Sequence, residues 1–315
     1  MRPTVKQIRP DANPLLTNML IAYMNNETDF VARQAAPVVP VNEESGTYLT
    51  IEQKHWFADK LERRAYGDTY SRGGYTFGSD TYKTLQWGLE HVIPVEHEAT
   101  SQVPMRLEQV GLEWLAHQSN IRKEIAFVAD FIKAGVWTTQ DNNSATDWDD
   151  SGGTPVANIA TAKRTIRQLT GREANALFVG EIVYDALRVN AEVKALVQYT
   201  QTGTADNMRS LLAAVLDVQT LGVSRALYNS ANTGQTASLA PIMDDDALLC
   251  IVAPGADMMS VSSLKTFTWA PGGGEGEIMT YNDPSTRNSR VLQHTEQWDQ
   301  KLIAAATGAI WLDIV

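Results

Sequence analysis

The chain has 315 residues, 43% of them hydrophobic and 20% charged, the balance of a folded protein rather than a disordered or fibrous one. Its 26 Lys and Arg against 37 Asp and Glu give a formal net charge of -11, which argues against sequence-independent gripping of nucleic acid phosphates. The longest apolar run, residues 248–254, falls far short of the roughly 18–20 residues needed to span a bilayer, and the first residues do not read as a secretory signal.

Residues 1–45 read as an extended arm. Pro3, Pro10, Pro14, Pro37 and Pro40 surround one short apolar stretch containing Leu15, Leu16, Leu20 and Ile21, enough for a helical turn or two and too little for a core. Such an arm needs another surface to lie on. Residues 46–95 change to period-two alternation, clearest at Leu85, Trp87, Leu89, Ile93 and Val95, around a tip rich in glycine, arginine and tyrosine. This reads as a long two-stranded excursion, and an isolated hairpin is at best marginally stable in water. Arg and Tyr, which the tip carries at Arg63, Arg64, Tyr66, Tyr70, Arg72 and Tyr75, are enriched at protein interfaces, and the excursion too needs a partner surface.

From Ser101, a candidate cap, apolar residues recur at helical spacing: Leu107, Val110, Trp114, Ile121, Ile125, Val128 and Ile132. A helix of about 30 residues, about 45 Å long at 1.5 Å per residue, is predicted to end at Gly135. A polar loop over 141–153 closes the segment 96–153. Residues 154–290 read as an α+β unit with its own core: a buried strand at 175–180, two short helices over 182–197 broken near Asn190, a helix over 206–216 and a second buried strand at 247–253. The remaining stretch, 291–315, reads as strand with a buried end.

The sequence fits no catalytic template. The run Gly272, Gly273, Gly274 and Gly276 carries Glu275 and Glu277 where a phosphate would lie, and it is not set between a buried strand and a helix; it reads as a turn or mobile loop. Ser224 lacks the second glycine of a nucleophile elbow and reads as a strand residue. His91 and His97 would stand about 20 Å apart along a strand, without a third ligand to complete a zinc site. The acids at 141–150 and Asp244, Asp245 and Asp246 lack the spacing of a calcium loop and read as solvated charges. Cys250, the single cysteine, sits among Leu248, Leu249, Ile251 and Val252 as a buried thiol. No cofactor, metal or catalytic residue is expected.

Arm, excursion and long helix would each leave apolar surface uncovered in a monomer, which marks protein contacts. Their order, together with residues 175–190, 218–229, 247–254, 266–269 and 298–302, resembles the major capsid proteins of tailed double-stranded DNA bacteriophages, with the Hong Kong 97-type fold. The resemblance implies an N-terminal arm (1–45), an extended β excursion or E-loop (46–95), a peripheral domain with a spine helix (96–153), an axial domain (154–290) and a return to the peripheral domain (291–315). It implies hexamers and pentamers in an icosahedral shell that encloses DNA without reading its sequence, has no membrane contact and assembles in the host cytoplasm. Each excursion would lie over an adjacent subunit, with Trp56, Phe57, Arg63, Arg64, Tyr70, Arg72, Tyr75 and Phe77 as candidate contacts, and the arm would bind a neighbour through Leu15, Leu16, Leu20 and Ile21. The resemblance implies a separate scaffolding protein and a portal as partners and leaves a decoration protein open. An inter-subunit bond from Lys54 or Lys60 to Asn282 or Asn288, present in some family members, is not expected here. Two alternatives stay open: an encapsulin-type cargo shell of the same fold, and a cytoplasmic hydrolase with a scattered carboxylate or metal site.

Overall fold

The computed structural model describes residues 14–26, 28–51, 59–74, 77–96, 104–141, 147–197, 205–232, 234–253, 255, 257–283 and 288–315. In chain order the helices are α1 (Pro14–Asn26), α2 (Ala32–Ala35), α3 (Pro104–Phe131), α4 (Pro155–Thr170), α5 (Glu181–Val189), α6 (Ala191–Val197) and α7 (Ala205–Val215). Two five-stranded sheets organise the rest.

The first sheet contains β1 (Val38–Val41), β4 (Leu85–Pro94), β11 (Leu264–Trp269), β12 (Glu277–Asp283) and β13 (Ser289–Leu302). The 14-residue β13 is its axis: β4 runs antiparallel along residues 289–298, while β12 and then β11 occupy successive lengths of the same strand. β1 adds to β11 in parallel. The second sheet has the order β5-β14-β10-β6-β7, formed by Thr139–Asp141, Gly308–Trp311, Ala247–Cys250, Ala176–Gly180 and Thr220–Ser224. A hairpin of β2 (Ser45–Ile51) and β3 (Phe77–Lys83) stands apart, as does the small hairpin of β8 (Leu227–Asn229) and β9 (Leu239–Pro241).

The second sheet is covered on both faces, which explains why β6 and β10 are buried at every position rather than alternately. Leu177, Val179, Leu221 and Leu249 meet Ile159, Ile166, Val183, Leu187 and Leu212 of α4, α5 and α7. Phe178, Leu248, Cys250 and Ile310 face the opposite way, onto Phe127 and Phe131 at the end of α3. α3 therefore serves both sheets, because its earlier turns, Leu112, Leu115 and Ala116, pack with Ile93, Ile278 and Leu292 of the first.

Several expectations change. The arm forms a 13-residue helix, longer than a turn or two, and Leu16, Leu20 and Met24 are buried against α3 of the same chain rather than reserved for a neighbour. β4 belongs to the first sheet and not to the excursion, which leaves β2 and β3 as its paired strands. β11 and β12 join the first sheet, while β14 inserts into the second between β5 and β10, so neither sheet follows the divisions at 154, 290 and 291. The stripe read on α3 is offset from its buried face. Val110 and Trp114 are exposed, Ile121, Ile125 and Val128 are half-buried, and Ser119, Asn120, Lys123 and Glu124 are buried in their place.

Candidate assembly surfaces

The excursion is rooted firmly and open at its tip. Phe267 of β11 stacks with Tyr82 of β3 at 4.6 Å between ring centroids and lies 5.3 Å from Tyr48 of β2. The Tyr48 hydroxyl donates to Asp80 at 3.0 Å and to the Leu302 carbonyl at 3.3 Å. Burial, followed by the Asp80 carboxylate, pushes its pKa above the ordinary phenol value. Beyond this root, residues 59–74 are exposed throughout, and Leu61 is 95% exposed.

Within the tip the Arg64 guanidinium lies 4.1 Å from the centroid of the Tyr70 ring, and its Nη1 donates to the Asp68 carbonyl. A turn closed by Asp68 N–H to the Ala65 carbonyl places Gly67 at φ +88, a conformation glycine tolerates best, and Lys60 Nζ donates to the Gly74 carbonyl at 2.7 Å. The structure thus brings Arg64 and Tyr70 together. Arg63 and Arg72 are exposed near them. Trp56, Phe57 and Tyr75 lie outside the described residues, and Phe77 is described only as the first residue of β3. On the arm, Leu15 is exposed and Ile21 half-buried, whereas Leu16 and Leu20 are committed to the interior.

Two buried polar groups tie these surfaces to the frame, and neither has a local sequence signal. Glu124 is 0% exposed; its carboxylate accepts the backbone N–H of Ala32 at 2.8 Å, that of Val31 at 3.1 Å and the Ser224 hydroxyl at 2.8 Å. One side chain thereby joins α3, the start of α2 and the end of β7. Burial pushes its pKa up, against the pull of the three donors. At the preceding residue, Lys123 Nζ pairs with Glu296 Oε2 at 2.7 Å, and Ser119 Oγ donates to the same oxygen at 2.6 Å. His294 Nε2 stands 3.6 Å from it. Burial alone would raise the Glu296 pKa; the Lys123 and His294 side chains outweigh it and hold the carboxyl at about 2. Burial draws Lys123 below the ordinary ammonium value, and Glu296 opposes that shift.

An uncovered apolar flank lies along α3 and β4. Trp114 is 43% exposed and its ring centroid is 5.6 Å from that of His91, while Leu85 and Leu89 of β4 and Val110 of α3 are also exposed. Trp87 is stacked on Trp298 at 5.6 Å and lies under the Arg122 guanidinium at 4.3 Å.

The chemical candidates resolve into structural roles. Ser224 is an anchor for Glu124, and Cys250 is fully buried with its thiol pushed up by that burial. The glycine run is a tight turn seated on β13 rather than a mobile loop: a Cβ on Gly272 would lie 1.6 Å from Gln297 Oε1, and Gly273 has φ +113. His97 lies outside the described residues. Among the described residues no group of three His, Cys, Asp or Glu side chains is placed to hold a metal ion, and no helix is long and apolar enough to cross a membrane.

An arm, a protruding hairpin, a long helix shared by two sheets and a strand returning to the first sheet define the Hong Kong 97-type fold. A phage-related protein of Bordetella bronchiseptica matches with a TM-score of 0.73 at 17% identity, over 96% of this chain and 97% of that one. The capsid of cyanophage P-SCSP1u matches with a TM-score of 0.54 at 8% identity, over 88% and 86%. No family model matches the sequence. The major capsid protein of Burkholderia phage BcepMu is 26% identical over 221 residues, 69% of each chain. The sequence is thus similar to that of a phage major capsid protein and the fold is the Hong Kong 97 type, and both give the chain a structural role rather than an enzymatic one. Neither the encapsulin nor the hydrolase reading is favoured.

Proposed function

We propose that copies of this chain form hexamers and pentamers that tile an icosahedral shell around a double-stranded DNA genome. Assembly takes place in the host cytoplasm, with a separate scaffolding protein and a portal. In this reading the first sheet with α3 is the peripheral domain, the second sheet is the axial domain, and the excursion lies over an adjacent copy through Arg63, Arg64, Tyr70 and Arg72. The observation that carries it is the contrast between the excursion's locked aromatic root and its uncovered tip, where Leu61 and Tyr66 bury nothing within their own chain. A net charge of -11 suits a container wall, to which packaged DNA should not adhere. Leu15 and Ile21 are the arm side chains left to meet a neighbour.

Size-exclusion chromatography with negative-stain electron microscopy of the purified chain tests this reading. Shells, or six- and five-membered rings, are expected. A monodisperse monomer or dimer at every salt and protein concentration would overturn it.

A further inference from the structure

The second sheet carries opposite charges at two places along one end. Register puts Gly180, Ser224, Ala247 and Trp311 together at that end. Beyond the β7 edge lies a cleft of about 260 Å³ lined by Asp29, Tyr184, Met208 and three arginines, Arg188, Arg209 and Arg225. Arg209 is oriented by its Nε donating to the Leu221 carbonyl at 2.8 Å. Arg188 and Arg225 pair with Asp185 at 3.1 Å and Glu181 at 3.3 Å, but all four side chains are at least half exposed. Such pairs are worth little in water and exchange readily for another carboxylate. Ile182 and Val189, on the same helix as Tyr184 and Arg188, and Leu227, two residues after Arg225, are also exposed. Arginine and tyrosine beside uncovered apolar side chains is the composition of a protein contact.

On the other side of β6, Asp244, Asp245 and Asp246 lead into β10, and Asp313 follows β14. Among the described residues no ion pair joins any of the four to a lysine or arginine. Burial, and then mutual repulsion, raises the pKa of Asp246 to about 6 and that of Asp245 above the ordinary value. This chain crowds acids here without neutralising them.

A closed ring of identical copies needs two different, complementary patches on each copy, displaced in one direction. We propose that the Arg188/Arg209/Arg225 cleft of one copy receives the Asp244–Asp245–Asp313 corner of the next, a head-to-tail contact that closes the ring. The inference rests on the shell-forming reading and names the partner surface within it.

A charge swap tests the pairing. Arg188→Glu with Arg225→Glu, or Asp244→Lys with Asp245→Lys, should raise the protein concentration for half-maximal ring or shell formation by about tenfold or more, read by sedimentation velocity and electron microscopy. All four substitutions in one chain should restore assembly. The two double variants mixed in equal amounts should form only even-membered rings, because unlike copies must alternate. The milder Arg188→Gln with Arg225→Gln serves where reversal harms folding, which a thermal melt of the unassembled chain reports. Assembly of either reversed variant at the wild-type concentration, or no recovery in the fourfold variant, would overturn the pairing while leaving the shell reading intact. Absence of particles from the unaltered chain would overturn both.

Discussion

Replacing Glu124 by alanine removes one carboxylate and strands the donors it serves. The N–H groups of Val31 and Ala32 lose acceptors at 3.1 and 2.8 Å in a region closed to water, and the Ser224 hydroxyl loses one at 2.8 Å. A buried donor left unpaired costs about 1–3 kcal/mol. The Ser224 hydroxyl can rotate to another acceptor, so two stranded N–H groups set the scale at about 2–6 kcal/mol. Relief of burying a carboxylate whose pKa burial has raised offsets part of this, which brings the expected loss to about 2–4 kcal/mol. Glu124→Gln keeps a carbonyl acceptor but turns an amide N–H toward a donor, and about half that loss is expected. Urea unfolding of the unassembled chain at low concentration measures the difference, and hydrogen exchange locates it at amides 31 and 32. A Glu124→Ala variant within about 1 kcal/mol of wild type, with those two amides still protected, would refute the clamp.

Three further outcomes follow from the same geometry. Asp246 carries a raised pKa, so its contribution favours the folded state fully below pH 3.8 and is lost as pH rises through about 6; allowing for partial solvent exposure, Asp246→Asn should stabilise the chain at pH 8 by about 1–2 kcal/mol and leave pH 3 unchanged in thermal melts. Glu296 has the opposite sign: its stabilisation is present above pH 4.5 and is lost as pH falls toward about 2, so Glu296→Gln should flatten that limb of the stability curve, whereas Lys123→Met, which strands the carboxylate, should cost about 3–5 kcal/mol at pH 7 in urea unfolding. Gly180→Ala would place a Cβ 1.7 Å from the Asp244 carbonyl oxygen, a backbone group that cannot swing aside; a loss of more than about 3 kcal/mol is expected, and a thermal midpoint equal to wild type would contradict the close approach.

Local chemistry explains which elements can be read from sequence. The break between α5 and α6 is legible because Asn190 makes it: its amide donates to the Trp148 and Gly153 carbonyls at 2.8 and 3.1 Å, and its Oδ1 accepts the Glu192 N–H at 2.8 Å. α4 carries equally local marks: Pro155 in its first turn, Ile159, Ala162 and Ile166 on one face, and Gly171 at φ +68 as its stop. The true face of α3 is a different matter. Lys123 and Glu124 look like surface charges until Glu296, Ser224 and Val31 arrive from 93 to 173 residues away, and no helical period registers partners so remote. Sheet membership fails for the same reason, since β1 finds β11 across more than 220 residues. The alternation at Leu85, Trp87, Leu89 and Ile93 marks β4 as a strand, but it does not say that this strand runs along β13 rather than in the hairpin.

The place of β14 bears on when the molecule finishes folding. It is an interior strand, flanked by β5 in parallel and β10 antiparallel, yet its residues are among the last of the chain described. Until residue 311 has been joined, β5 has no neighbour and β10 presents an open edge beside β6, so a nascent chain holds this sheet as two unequal fragments. Pairing across such sequence distances is slow, because loop closure must precede any gain from contact. Ile314, fully buried just beyond β14, can seal the core only after that strand has docked. Closing this sheet is therefore a late, long-range step, and a chain in which β14 has not docked offers its neighbours an incomplete core.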